Sequence, residues 1–140
     1  MQRTMAVSAL VDAGFLVALL SSRDAHHEWA ARLGVQFPAP WYTCEAVLSE
    51  SFHLLGARGY PALSALLRRA AAVPSFDLRE NVEPVVRLMH KYANVPMSLA
   101  DACLVRMTET ITEPIVLTTD RDFRIYRRHG RQTIPCRLPV

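Results

Sequence analysis

Two short apolar runs near opposite ends of the chain, Val7 to Val11 and Ile115 to Thr118, each give way within two residues to an aspartate, Asp12 and Asp120. Runs of this length suit buried strands, and the stretches between them carry apolar residues at helical spacing. Strands separated by helices need crossover connections, which generate parallel sheets with helices on both faces. The expected fold class is therefore α/β with a mainly parallel central sheet. Sites in such sheets form beyond the carboxyl ends of the strands, where Asp12 and Asp120 would emerge on one edge.

Local signals place the intervening elements. Asp12-Ala13-Gly14 predicts a turn into a helix from Phe15 to Leu20, and Asp24 predicts the N-cap of a second helix to about Leu33, stopped by Gly34. After Pro38 and Pro40, Trp41 to Thr43 is extended. A helix from Cys44 to Leu55 closes at Gly56, and another runs from Pro61 to Ala72 with Pro61 in its first turn. Ser75 to Leu78 predicts a strand, Val82 to Tyr92 a helix, and Ser98 starts a helix reaching Thr110. Arg121 to Arg128 predicts a short basic helix, and Thr133 to Cys136 a last strand.

A length of 140 residues fits one domain spanning 1–140, since two halves would be too small to bury adequate cores. Hydrophobic residues make up 51% of the chain, an apolar excess that points to surface covered by a partner or a second copy. The net charge is +3, and all sixteen basic residues but Lys91 are arginine. Arginine's planar fork suits phosphate oxygens, although the codon bias of a GC-rich genome produces the same preference. Arg121, Arg124, Arg127, Arg128 and Arg131 fall within eleven residues, either as a phosphate track or as a solvated charged face. Cys44, Cys103 and Cys136 are odd in number and lack C-x-x-C spacing, which argues for a reducing compartment and against a disulfide framework or structural zinc. Arg3 ahead of Ala6 to Leu20 resembles a secretory leader, but Asp12 interrupts the apolar stretch. No run approaches the length of a membrane span.

Four carboxylates stand out. Asp12 and Asp120 follow strands and would either cap the next helix or hold a ligand. Glu50 has Ala46, Val47 and Leu54 as helical neighbours, which predicts a buried acid needing either an arginine or a metal. Asp101 completes a Ser98-x-x-Asp101 capping box yet shares a helix face with Met97, Leu104 and Val105. Two carboxylates about 4 Å apart repel by roughly 4 kcal/mol at an effective dielectric of 20. A cation offsets that repulsion, and an all-oxygen donor set favours Mg²⁺ or Mn²⁺ over zinc. Asp122 follows as a fifth acid or as a stabiliser of a helix start, and His26-His27 lacks the further ligands a zinc site needs.

Val11-Asp12-Ala13-Gly14-Phe15-Leu16 with Asp24-Ala25-His26-His27, Thr43-Cys44-Glu45-Ala46-Val47-Leu48-Ser49-Glu50, Ser98-Leu99-Ala100-Asp101-Ala102, and Thr118-Thr119-Asp120-Arg121-Asp122-Phe123 resemble, in order, the four acidic blocks of PIN-domain proteins, especially the VapC toxin group. The resemblance spans nearly the whole chain. It implies a three-layer α-β-α PIN-like fold and a Mg²⁺- or Mn²⁺-dependent endoribonuclease that leaves a 5′-phosphate. Carried over by position, Asp12 and Asp101 would be the principal metal ligands, Asp120 would complete the cluster, and Glu50 would bind metal or position its water. Thr118 matches a supporting hydroxyl, and Thr118, Arg121 and Arg124 are candidate substrate contacts. The resemblance also implies a cytoplasmic homodimer silenced by a cognate antitoxin, with RNA as substrate. Ala13 departs from the family pattern, which often carries a hydroxyl there.

Two other functions share the same sheet. A catalytically quiet RNA- or partner-binding module would not need all four acids. Phosphoryl transfer through Asp12 as a covalent nucleophile would need a lysine nearby, and Lys91 is the chain's only one.

Overall fold

The computed structural model describes residues 6–140, so Arg3 of the leader-like stretch lies outside the described residues. Strand β1 (Ser8–Val11) leads directly into α1 (Ala13–Leu20), followed by α2 (His27–Gln36), β2 (Trp41–Thr43) and α3 (Glu45–Arg68). Next come β3 (Ala72–Pro74), a 3-10 turn (Leu78–Asn81), α4 (Val82–Lys91) and α5 (Leu99–Thr110). The chain ends with β4 (Pro114–Leu117), a second 3-10 turn (Arg121–Arg124), β5 (Arg127–Arg128), β6 (Gln132–Thr133) and β7 (Cys136–Arg137).

Five strands form a parallel sheet in the order β3-β2-β1-β4-β7, flanked by helices as the three-layer expectation requires. The chain builds outward from β1 through β2 and β3, then crosses back to lay β4 and β7 on the other side. That reversal puts a topological switch point between β1 and β4, the place where parallel sheets open a crevice. Val11 pairs with Leu117, so the next residues, Asp12 and Thr118, leave the sheet side by side.

Burial explains the apolar runs. Leu10, Val11, Val116 and Leu117 are fully buried, as strands covered on both faces must be. Each such side chain contributes about 1.5–3 kcal/mol relative to exposure. Phe15 lies edge-on to Trp29 at 6.1 Å and to Trp41 at 5.6 Å, fixing α1 against α2 and β2.

Several expected boundaries shift for local reasons. Asp12 Oδ1 accepts the Ala13 N–H at 2.8 Å, so α1 begins without the expected turn. Gly14 lies inside that helix, where an added Cβ would come within 2.0 Å of Thr119 Oγ1. Asp24 Oδ1 accepts the His26 N–H at 2.8 Å and closes a turn; α2 starts later, at His27, and continues through Gly34. Gly56, at φ 65°, kinks α3 between its two expected halves, and Pro61 sits inside the second. That second half ends at Arg68 because Ala72 pairs with Trp41 in the sheet. The strand expected at Ser75–Leu78 therefore lies upstream, and Asp77 caps a 3-10 turn by accepting the Arg79 N–H.

The basic helix expected from Arg121 to Arg128 is only one 3-10 turn. Arg127 and Arg128 instead pair with Thr133 and Gln132 in a hairpin that turns through His129 (φ 52°) and Gly130 (φ 80°). The last strand begins at Cys136, past buried Ile134.

Candidate metal centre

The site grows from the β1–β4 register. Thr118, fully buried, donates its hydroxyl to Asp12 Oδ2 at 2.7 Å, and Thr118 Oγ1 itself accepts the Asp120 N–H at 2.9 Å. Asp120 Oδ1 in turn accepts the Asp122 N–H at 2.9 Å, capping the 3-10 turn. The third acid arrives on α5. Ser98 Oγ accepts the Asp101 N–H at 3.0 Å, Asp101 Oδ2 accepts the Ser98 N–H at 3.3 Å, and the capping box is closed.

All three aspartates thus cap helical turns and still converge. A carboxylate oxygen from each of Asp12, Asp101 and Asp120 lies within 4.8 Å of the others, with Asp12 and Asp101 buried and Asp120 half-buried. Capping consumes one lone pair per bond, and an ionised carboxylate has about four such sites, so acceptor capacity remains.

Glu50 does not join this group. It is exposed, as is Leu54, because α3 turns Val47, Leu48 and Ser51 inward instead. The stripe on which a buried Glu50 was expected is therefore one face away. Its charge still reaches Asp12 as a repulsion. No arginine neutralises it, since the only ion pair among the described residues joins Arg106 to Glu109.

Desolvation pushes the Asp12 carboxyl up to about 6, and the charges of Asp101 and Glu50 add to the rise; the Thr118 and Ala13 hydrogen bonds oppose it. Burial likewise raises Asp101, helped by Asp120 and opposed by Tyr126 and Ser98. Asp122 is raised by desolvation and by its neighbour Asp120, and it stays outside the group of three.

Tyr126 was not anticipated from the sequence. Its phenol, fully buried, donates to Asp101 Oδ2 at 2.9 Å, and its ring packs edge-on against Phe123 and Tyr92. The i, i+3 spacing of Phe123 and Tyr126 was the available signal, obscured by the surrounding arginines. Thr118, expected as a substrate contact, is too deeply buried for that and positions Asp12 and Asp120 instead. Arg121 and Arg124 are exposed on the turn that follows Asp120.

The remaining arginines of the run diverge. Arg127 donates to the carbonyls of Arg124, Ile125 and Tyr126, and Arg128 to those of Thr108 and Ile111. Lys91 Nζ donates to the Gly130 carbonyl at 3.3 Å and makes no hydrogen bond to Asp12.

The PIN domain family model matches residues 9–128. Among solved structures, the chain is similar to VapC20 of Mycobacterium tuberculosis, a sarcin-ricin loop cleaving toxin, with TM-score 0.70 and 23% identity over 78% of this chain and 87% of that one. A search of curated proteins by sequence found no match.

Proposed function

This chain belongs to the PIN-domain family, and from that premise we propose that it is a divalent-metal-dependent endoribonuclease of the VapC toxin type, acting as one domain across residues 1–140. The observation that carries the proposal is the convergence of Asp12, Asp101 and Asp120 from three separate elements.

The donor set fits a hard cation. It contains carboxylate oxygens only, no imidazole or thiolate, and two of its acids are held above their ordinary range chiefly by burial, with neighbouring acids adding to the rise. Asp12, Asp101 and Asp120 would hold Mg²⁺ or Mn²⁺. Such an ion, when bound, supplies charge to polarise an RNA phosphodiester and lowers the pKa of water for in-line attack.

The chain's own groups organise the site. Thr118 orients Asp12 and the loop bearing Asp120, while Ser98 and Tyr126 hold Asp101. Glu50 contributes negative charge at the rim and orients incoming water. Arg121 and Arg124, exposed beside Asp120, contact the phosphates flanking the cut. A covalent aspartyl route finds no support, because Lys91, the chain's only lysine, lies beside Gly130 and makes no hydrogen bond to Asp12.

As a VapC-type toxin the chain would act in the cytoplasm as a homodimer restrained by an antitoxin. Its free cysteines suit a reducing compartment, and no helix among the described residues is long and apolar enough to cross a membrane. Exposed Leu54 on α3, and exposed Tyr60 lining an open apolar depression with Phe52, Gly56 and Ala57 at the α3 kink, support a covered surface. A monomer mass by light scattering at micromolar concentration would count against the dimer.

The deciding experiment is Mn²⁺ titration and cleavage mapping on total RNA, with Asp12→Ala and Asp101→Ala beside the native chain. Both variants should lose cleavage, and Asp101→Ala should lose Mn²⁺ affinity. Undiminished cleavage by Asp12→Ala would mean that the cleavage does not arise at these acids, leaving a binding module on a nuclease fold.

A further inference from the structure

The chain's single lysine and two of its arginines lie outside the acid cluster, where α4, α5 and the β5–β6 hairpin adjoin. A cleft of about 280 Å³ opens there, its polar wall formed by Arg87, Lys91, Arg106, Glu109, His129 and Gly130. Arg87 and Lys91, one turn apart on α4, are both exposed. Neither forms an ion pair among the described residues, although Glu83 stands one turn before Arg87 on the same helix.

The donors in this cleft are largely unspent. Lys91 uses one of three ammonium protons on the Gly130 carbonyl, and Arg87 makes no hydrogen bond among the described residues. Arg106 is fixed in place, with Nε donating to Asn81 at 2.9 Å and Nη1 to Glu109 at 3.4 Å. Glu109, the only acid in the wall, is paired with Arg106 and also accepts the His129 N–H at 2.8 Å. Two positive charges therefore remain without a paired carboxylate, the Lys91 ammonium lying 5.2 Å from the centre of the Tyr92 ring. No phenylalanine, tyrosine or tryptophan lines the cleft, so it offers no platform for stacking bases.

The cleft is tied to the acids through tyrosines. Tyr92 Oη accepts the Arg127 N–H at 3.0 Å, its ring meets Tyr126 at 5.1 Å, and Tyr126 donates to Asp101. The hairpin wall and the acid cluster thus share one buried aromatic support.

Resting on the ribonuclease function proposed above, we propose that this cleft is a second binding site for the RNA backbone, in which Arg87 and Lys91 hold phosphates away from the bond being cut. Cations without base-stacking partners grip backbone and read little sequence. The site raises affinity for long RNA without choosing the cleavage sequence.

The test is binding of a labelled mixed-sequence single-stranded RNA, measured by fluorescence anisotropy in chelator so that nothing is cut. Arg87→Ala/Lys91→Ala is compared with the native chain and with Arg32→Ala/Arg69→Ala, which removes equal charge from other exposed positions. The cleft variant should bind roughly tenfold to thirtyfold more weakly near 0.1 M salt. The slope of log K against log salt should fall in magnitude by about 1.4, at roughly 0.7 per lost phosphate contact. Circular dichroism and melting temperature should stay unchanged, separating binding from folding. Equal weakening in the two variants, an unchanged salt slope, or a native chain that binds no RNA would overturn the proposal. Native protein that binds RNA through the cleft but cuts none with metal would sink the nuclease function alone. Native protein that cuts RNA while the cleft variant binds as tightly would sink the cleft alone.

Discussion

The phenol of Tyr126 donates a 2.9 Å hydrogen bond to Asp101, joining a fully buried ring after the second 3-10 turn to an acid at the start of α5. A donor aimed at a carboxylate favours its ionised form, the form that binds a cation. Tyr126→Phe keeps the ring and removes the donor. It should cost about 1.5–3 kcal/mol in stability, the range for a hydrogen bond to a charged group. Asp101 should then ionise at higher pH, moving the acid limb of the cleavage pH profile upward. An unmoved limb would confine Tyr126 to packing.

Thr118 serves two aspartates through one hydroxyl, donating to Asp12 and accepting from the Asp120 backbone. Thr118→Val preserves shape but leaves the Asp120 N–H without its acceptor and Asp12 without its donor. Cleavage should fall tenfold or more, consistent with about 1–3 kcal/mol per unsatisfied buried group. Thr118→Ser should recover most of the activity. Equal activity in all three proteins, compared by initial rates, would remove Thr118 from the positioning machinery.

Metal-free stability should decline as pH rises. Folded Asp12 keeps its proton up to about 6, whereas the unfolded chain releases it near 3.8. Between those values the native state binds more protons, so stability falls through that window and levels off above it. The displacement corresponds to roughly 3 kcal/mol, and Asp101, shifted in the same direction, adds to it. Urea denaturation in chelator across this range measures the slope. Asp12→Asn should flatten it and stabilise the metal-free protein at neutral pH. Added Mn²⁺ should stabilise the native chain increasingly over the same window, because the ion competes with the proton.

Gly14 is required by proximity, since its Cβ position is occupied by the Thr119 side chain. Gly14→Ala forces Thr119 aside and with it the loop carrying Asp120. Overpacking of this kind costs about 1–3 kcal/mol. Activity should drop by more than the change in folded fraction explains, as judged from melting curves and rates measured well below the melting temperature.

Much of this protein was legible from its residues in order. A short, continuously apolar and β-branched run such as Ile115–Thr118 reads as a buried strand, and helical spacing marks the stretches between such runs, so the alternation of elements and the parallel sheet followed directly. The Ser98-x-x-Asp101 box likewise marked the start of α5, because capping is a local bond between neighbours. What local signals could not decide was direction and reach. Glu50 lies among apolar neighbours in sequence, yet the packing of α3 turns Val47, Leu48 and Ser51 inward and leaves it exposed. Arg127 and Arg128 read as helix, but pairing with Gln132 and Thr133 drew them into a hairpin. Tyr126 meets Asp101, and Thr118 meets Asp12, only because the sheet order and register bring distant segments together. Composition and periodicity determine which segments become strands or helices; long-range packing, which no local preference encodes, determines which side chains share a pocket.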